Sequence, residues 1–160
     1  MPYVTQVTVT GIAKADQETV FTTLAAISLP AIFTGMAPFP AVTDVHNNPG
    51  HWNEVGLTRN PILSDGTTIE ERLTSYEPNE RFSYQVTGIT SIFRHVATMI
   101  EGQWNVQSDG QSTTRIIWVH TLHAKPGRTW ILRHILAPLW RKYMERALVL
   151  AIKRIENNHT

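Results

Sequence analysis

An arginine and two glutamates on neighbouring predicted strands are the most informative ionisable residues in the sequence. Arg59 falls on the apolar side of its predicted strand, together with Val55 and Leu57. A charge on a buried face is costly unless it is paired, so Arg59 requires an acidic partner. Glu70 and Glu71 lie across the next hairpin; strand alternation turns Glu71 inward, whereas a β-bulge would turn Glu70 inward instead. We expect Arg59 to pair with one of them, either as a surface salt bridge or as a polar anchor inside a cavity.

A second set combines aromatic side chains, one histidine and one methionine. Tyr84 alternates with apolar neighbours, and its phenol could complete a core, orient a ligand carbonyl or act as a general acid. Trp104 and Trp118 also fall on apolar strand faces, where they could form core or stack on a flat ligand. His120 shares a strand face with Trp118 and is either a buried or rim histidine or a cavity base. Met144 lies beside the apolar stripe of the last helix, where a flexible thioether suits a cavity wall.

Other kinds of site find no support in the sequence. The chain has no cysteine, which excludes disulfides, thiolate nucleophiles and cysteine-ligated metals. Its seven histidines show no metal-binding spacing, and His120 and His123 fall on opposite faces of one strand. A nucleophile-elbow serine motif and a glycine-rich nucleotide-binding loop are both missing from the sequence. Basic and aromatic residues do not interleave on one strand face. We therefore expect no metal, no cofactor and no nucleic-acid partner.

Length and composition predict one globular domain, residues 1–160. Apolar residues make up 42% of the chain and charged residues 17%, which is ordinary for a soluble protein and excludes intrinsic disorder. The first five residues lack the basic and apolar regions of a signal peptide, and no apolar run approaches the ~20 residues that span a bilayer. We expect a cytoplasmic protein.

The charges are unevenly distributed along the chain. The formal net charge is +1, yet residues 128–160 carry seven Lys and Arg against two Asp and Glu. This excess of positive charge either forms a solvated helix face against an acidic body or provides a contact surface for an anionic membrane or an acidic protein.

The order of predicted elements is one strand, two short helices, six strands and one long helix. An antiparallel sheet with one apolar face requires a cover, and the last helix is large enough to provide it. We therefore predict an α+β fold in which a curved sheet of about seven strands wraps around the C-terminal helix. The predicted strands are residues 3–11, 41–46, 54–63, 67–76, 81–87, 93–107 and 111–124; the helices are one from Asp16, one at 31–36 after an interruption at Pro30, and one at 128–155, which Pro138 kinks or splits.

Local stretches of sequence carry a family resemblance that covers nearly the whole chain. Residues 9–21 run from a strand into a helix that begins Ala15-Asp16, and residues 77–84 read Glu-Pro-Asn-Glu-Arg-Phe-Ser-Tyr. The others are Gly-Leu-Thr-Arg at 56–59, Ser-Asp-Gly at 64–66, Glu-Glu-Arg-Leu at 70–73, Gly-Gln-Trp at 102–104 and Arg-Ile-Ile-Trp at 115–118. With the element order, these stretches resemble the START-like (SRPBCC) superfamily of helix-grip proteins, in its polyketide cyclase/dehydrase branch.

The resemblance implies a cavity between the sheet and the C-terminal helix. A hydrophobic or amphipathic molecule, such as a lipid, a polyketide-like or a quinone-like compound, would bind there; a pocket of several hundred Å³ is roughly what drug-sized ligands require. The alternative is a cyclase or dehydratase that moves protons with Tyr84, His120, Arg59 or an inward glutamate. No catalytic motif unites the superfamily, so the resemblance assigns no catalytic residue.

Overall fold

The structure is a computed structural model that describes residues 3–159, without the side chain of His159. Met1 and Pro2 lie outside the described residues, and so does this part of the segment from which we predicted that no signal peptide is present. Thr160 also lies outside.

Seven strands form one antiparallel sheet in the order β1-β7-β6-β5-β4-β3-β2. Hairpins connect the successive strands from β2 to β7. Strand β1 pairs with β7 and forms one edge of the sheet. The α+β prediction and the strand count are therefore confirmed. The strands are β1 (Val4–Ala13), β2 (Val42–His46), β3 (Thr58–Leu63), β4 (Glu70–Glu77), β5 (Arg81–Thr87), β6 (Ala97–Ser108) and β7 (Thr114–Ala124).

Four predicted strands, β3, β4, β6 and β7, begin three or four residues later than the sequence pattern suggested. The chain before β3 turns at Gly56, which has a φ of 98° that favours glycine. Val55 therefore precedes the strand and is exposed, unlike the inward position assigned to it. The segment before β6 forms a short 3-10 helix, Ser91–His95, instead of strand.

The two short helices after β1 are α1 (Gln17–Ala25) and α2 (Leu29–Ile32). Asp16 caps α1, since its side chain accepts a hydrogen bond from the Thr19 amide at 2.7 Å. Pro30 lies in the first turn of α2, where a proline is tolerated because no intrahelical N–H bond is needed there. The predicted helix at 31–36 therefore begins earlier and ends at Ile32.

The C-terminal helical segment consists of α3 (Thr129–Ile131), one π-helical turn (Leu132–Leu136) and α4 (Ala137–His159). Pro138 has no N–H to donate to the preceding turn, and a widened turn accommodates this loss. The apolar stripe of α4 packs on the concave face of the sheet, with Tyr143, Met144, Ala147, Leu148, Ala151 and Ile155 buried. The seven lysines and arginines of residues 128–160 are exposed, and their contact with a membrane or protein partner stays a prediction.

Candidate functional site

A cavity lies between the concave face of the sheet and the aromatic start of α4. Its volume is about 120 Å³, which is smaller than the several hundred Å³ expected. Aromatic side chains from the loop after α2 and from α4 account for the difference, because Phe39 contacts both Trp140 and Tyr143 with ring centroids 5.0 and 5.9 Å apart. Apolar side chains dominate the lining, including Leu24, Ile32, Phe33, Ile69, Val86, Ile89, Phe93 and Ile100.

A buried ion pair forms one polar part of the cavity wall. Glu71 Oε1 accepts hydrogen bonds from Arg59 Nε at 2.9 Å and Arg59 NH2 at 2.5 Å. Both side chains are less than a tenth exposed. The Arg59 guanidinium also lies 4.1 Å from the centre of the Trp52 ring, in a cation–π contact. The pair lies directly across β3 and β4, so the inward orientation that alternation predicted for Glu71 is the observed one.

Glu70 and Met144, which we expected among the ligand-binding residues, do not line the cavity. Glu70 points outward, is about half exposed and lies 3.8 Å from Arg72 at the surface; the β4 bulge comes after it, between Leu73 and Ser75, and does not reverse its side. Met144 is fully buried. Its position on α4 packs it into the core beyond the cavity, because the aromatic residues at 140 and 143 occupy the cavity-facing turn.

Four side chains on the cavity wall form a continuous hydrogen-bonded chain. Tyr84 Oη and His120 Nε2 are 2.7 Å apart. The Trp118 indole donates to Tyr84 Oη at 3.0 Å, and the Trp140 indole donates to His120 Nδ1 at 2.9 Å. The sequence did not predict Trp140 as a cavity residue. Trp140 lies outside the apolar stripe that was used to predict which side of the last helix faces the sheet.

Burial keeps Tyr84 and His120, the two titratable side chains of the hydrogen-bonded chain, uncharged near pH 7. Burial, and then the nearby charge of Glu71, raise the pKa of the Tyr84 phenol well above its usual range. Burial lowers the pKa of His120 to about 3. The phenol therefore keeps its proton, and the imidazole does not gain a second one.

A glycine allows Tyr84 and His120 to meet. Gly102 lies between them in the sheet, opposite Tyr84 on β5 and opposite His120 on β7. A Cβ atom at this position would overlap the Tyr84 ring. The ring can cross β6 only because residue 102 has no side chain.

Trp104 and Trp118 form a stacked pair next to this chain. They face each other across β6 and β7 with ring centroids 4.0 Å apart and planes 9° apart. Both line the cavity and are at most 5% exposed. The stack fixes the Trp118 indole, and with it the hydrogen bond to Tyr84.

The described residues hold neither a metal-binding cluster nor a membrane-spanning helix. Within residues 3–159, no three His, Asp or Glu side chains lie close enough together to ligate a metal ion. In the same range, no helix combines the length and the apolarity needed to cross a bilayer.

Solved structures with the same fold come from plants and bacteria. Norcoclaurine synthase of Thalictrum flavum, a point mutant in complex with a transition-state analogue, is 16% identical with a TM-score of 0.71, covering 98% of this chain and 96% of that chain. Ginseng major latex-like protein 151 from Panax ginseng is 14% identical with a TM-score of 0.64, covering 98% of each chain. The protein XoxI from Bacillus cereus is 16% identical with a TM-score of 0.62, covering 96% of this chain and 94% of that chain. At these identities the likeness shows the fold alone.

Sequence comparison gives the family. No curated protein matches the chain. The model of the family described as polyketide cyclase/dehydrase and lipid transport matches residues 4–156, and the fold is the helix grip that the sequence motifs predicted. The chain therefore belongs to the polyketide cyclase/dehydrase and lipid transport family, within the START-like (SRPBCC) superfamily.

Proposed function

We propose that the protein binds a small apolar molecule in the cavity between the sheet and α4, without transforming it. The observation that carries this proposal is the state of the cavity's polar groups. Glu71 is engaged by Arg59, and His120 is engaged through both ring nitrogens. Glu71 and His120 are thus both satisfied by protein partners, and they hold the shape of the cavity.

The alternative, a cyclase or dehydratase, has less support. General acid–base catalysis is most efficient when the pKa of the catalytic group lies near the working pH. Burial raises the pKa of Tyr84 and lowers that of His120 to about 3. Both shifts move the pKa further from pH 7. These directions favour binding over proton transfer by either group.

The size of the cavity limits the ligand. A volume of about 120 Å³ is similar to that of engineered protein cavities that bind benzene, which measure about 150 Å³. One or two fused rings fit this space better than an extended acyl chain. The proposed ligand is therefore compact, and larger lipids would require the surrounding aromatic side chains to move.

Titration with indane, a compact apolar bicycle, tests the proposal. We expect saturable shifts of the indole N–H resonances of Trp118 and Trp140 in two-dimensional NMR spectra. Ile69→Trp should abolish these shifts by filling the cavity, since Ile69 lines it. Ile12→Trp is the matched control, because Ile12 is exposed on β1 and does not line the cavity. The absence of saturable shifts with indane in the unaltered protein would contradict the proposal.

A further inference from the structure

The direction of each hydrogen bond in the Trp140–His120–Tyr84–Trp118 chain follows from donor chemistry. An indole N–H can only donate, so His120 Nδ1, 2.9 Å from Trp140 Nε1, must be the unprotonated nitrogen of the imidazole. In a neutral imidazole the other nitrogen then carries the proton. His120 Nε2–H therefore donates to Tyr84 Oη over 2.7 Å.

Tyr84 consequently accepts two hydrogen bonds and keeps its own proton to donate. Trp118 Nε1–H is the second donor to Oη, at 3.0 Å. Among residues 3–159, no side chain or carbonyl accepts a hydrogen bond from the Tyr84 hydroxyl. Tyr84 is 7% exposed and lines the cavity, so this O–H is a buried donor whose acceptor must come from the cavity's contents.

The charges around the cavity disfavour an anionic ligand. Arg59 is the only lysine or arginine among the described lining residues. Its guanidinium is neutralised by Glu71 and covered by the Trp52 ring. A ligand carboxylate would thus meet no uncompensated positive charge, and it would lose its hydration on entering the cavity.

We propose that the ligand is a neutral, compact, apolar molecule with a carbonyl oxygen, and that the Tyr84 hydroxyl donates a hydrogen bond to that oxygen. This inference rests on the proposed binding function. It makes Tyr84 the residue that distinguishes a cyclic ketone from a hydrocarbon of the same shape. It also separates such ketones from fatty acids and other carboxylates, which the cavity should reject.

Three ligands built on the same bicycle test the inference: indane, 1-indanone, which has nearly the same shape, and the larger indane-1-carboxylate. We expect 1-indanone to bind about threefold to tenfold more tightly than indane, the range that one net hydrogen bond gives, and the carboxylate to bind more weakly than either. The carbonyl stretching band of bound 1-indanone should lie at lower wavenumber than in cyclohexane. Equal affinities for indane and 1-indanone, or an unshifted band, would overturn the inference and leave apolar binding intact. Failure of both neutral ligands to bind would instead overturn the proposed function.

Two variants identify the donor. Tyr84→Phe keeps the ring and removes the hydroxyl, so the preference for 1-indanone over indane should fall at least threefold. This variant releases the N–H groups of His120 and Trp118, so the carbonyl band should also move to a new position. Tyr76→Phe is the matched control, because it removes a phenol hydroxyl from a tyrosine on β4 that does not line the cavity; its preference for the ketone should persist. A carbonyl band at the same position in Tyr84→Phe and in the unaltered protein would contradict the role of Tyr84.

Discussion

The phenol ring of Tyr84 lies against the backbone of Gly102, its partner across β5 and β6, in the space that any other residue would fill with a Cβ atom. This contact brings Tyr84 within 2.7 Å of His120 on β7. The missing side chain in the middle strand therefore creates the hydrogen-bonded chain on the cavity wall. A strand glycine often marks such a close approach.

We expect Gly102→Ala to lower the free energy of unfolding by about 1–3 kcal/mol, the usual cost of overpacking. The added methyl group should displace the Tyr84 ring and reduce indane binding. The check is a double-mutant cycle with Tyr84→Ala, measured by chemical denaturation. Because Tyr84→Ala removes the overlapping ring, Gly102→Ala should cost much less in that background. Equal costs in both backgrounds would show that the Tyr84 contact does not set the requirement for glycine.

Strand alternation predicted a large part of the cavity wall. Residues with period two along β5, β6 and β7 share a face, and Tyr84, Trp104, Trp118 and His120 all lie on the inner face. The same reasoning placed Glu71 inward, because the β4 bulge lies beyond it. Whether these residues contact a ligand stays a prediction.

The contribution of the helix could not be predicted in the same way. Trp140 and Met144 are one turn apart on α4, but only Trp140 reaches the cavity. Which turn of a helix faces a cavity depends on where the helix crosses the sheet, and no local pattern in the sequence records that position. The cavity volume was overestimated for a related reason: Phe33 and Phe39, from α2's end and the following loop, contact the aromatic residues of α4 across a long sequence separation.

The buried ion pair should respond unequally to the loss of its two members. Glu71→Met leaves the Arg59 guanidinium buried without a counter-ion, and arginine cannot deprotonate. Arg59→Met leaves a carboxylate that can take up a proton. We expect Glu71→Met to cost about 3–5 kcal/mol and Arg59→Met to cost less, as measured by thermal melts.

Glu70→Met is the matched control for this pair, because Glu70 neighbours Glu71 but is about half exposed. Its effect should be within about 0.5 kcal/mol. A cost for Glu70→Met equal to that for Glu71→Met would contradict the buried position of the pair.

The stability of the protein should fall as the pH drops from 6.5 to 5, because of His120. Well above pH 6.5, the usual pKa of histidine, the imidazole is neutral in both the folded and the unfolded chain, and pH has no effect through this residue. Below it, the unfolded chain takes up a proton that the folded protein, with a His120 pKa of about 3, does not. The free energy of unfolding should therefore fall by up to about 1.4 kcal/mol per pH unit. Urea denaturation at several pH values checks this slope.

Two variants assign the slope to His120. His120→Gln keeps a group that can accept from Trp140 and donate to Tyr84, and it should flatten the slope because glutamine does not titrate. His95→Gln is the matched control, since His95 is exposed, and it should retain the slope of the unaltered protein. The pH range from 6.5 to 5 stays above the usual pKa values of Asp65 and Glu77, 3.8 and 4.5. The fold lowers both pKa values, so these two carboxyl groups change the stability mainly at more acidic pH. An unchanged slope in His120→Gln would mean that the imidazole takes up a proton in the folded state, and Trp140 would then lose its acceptor.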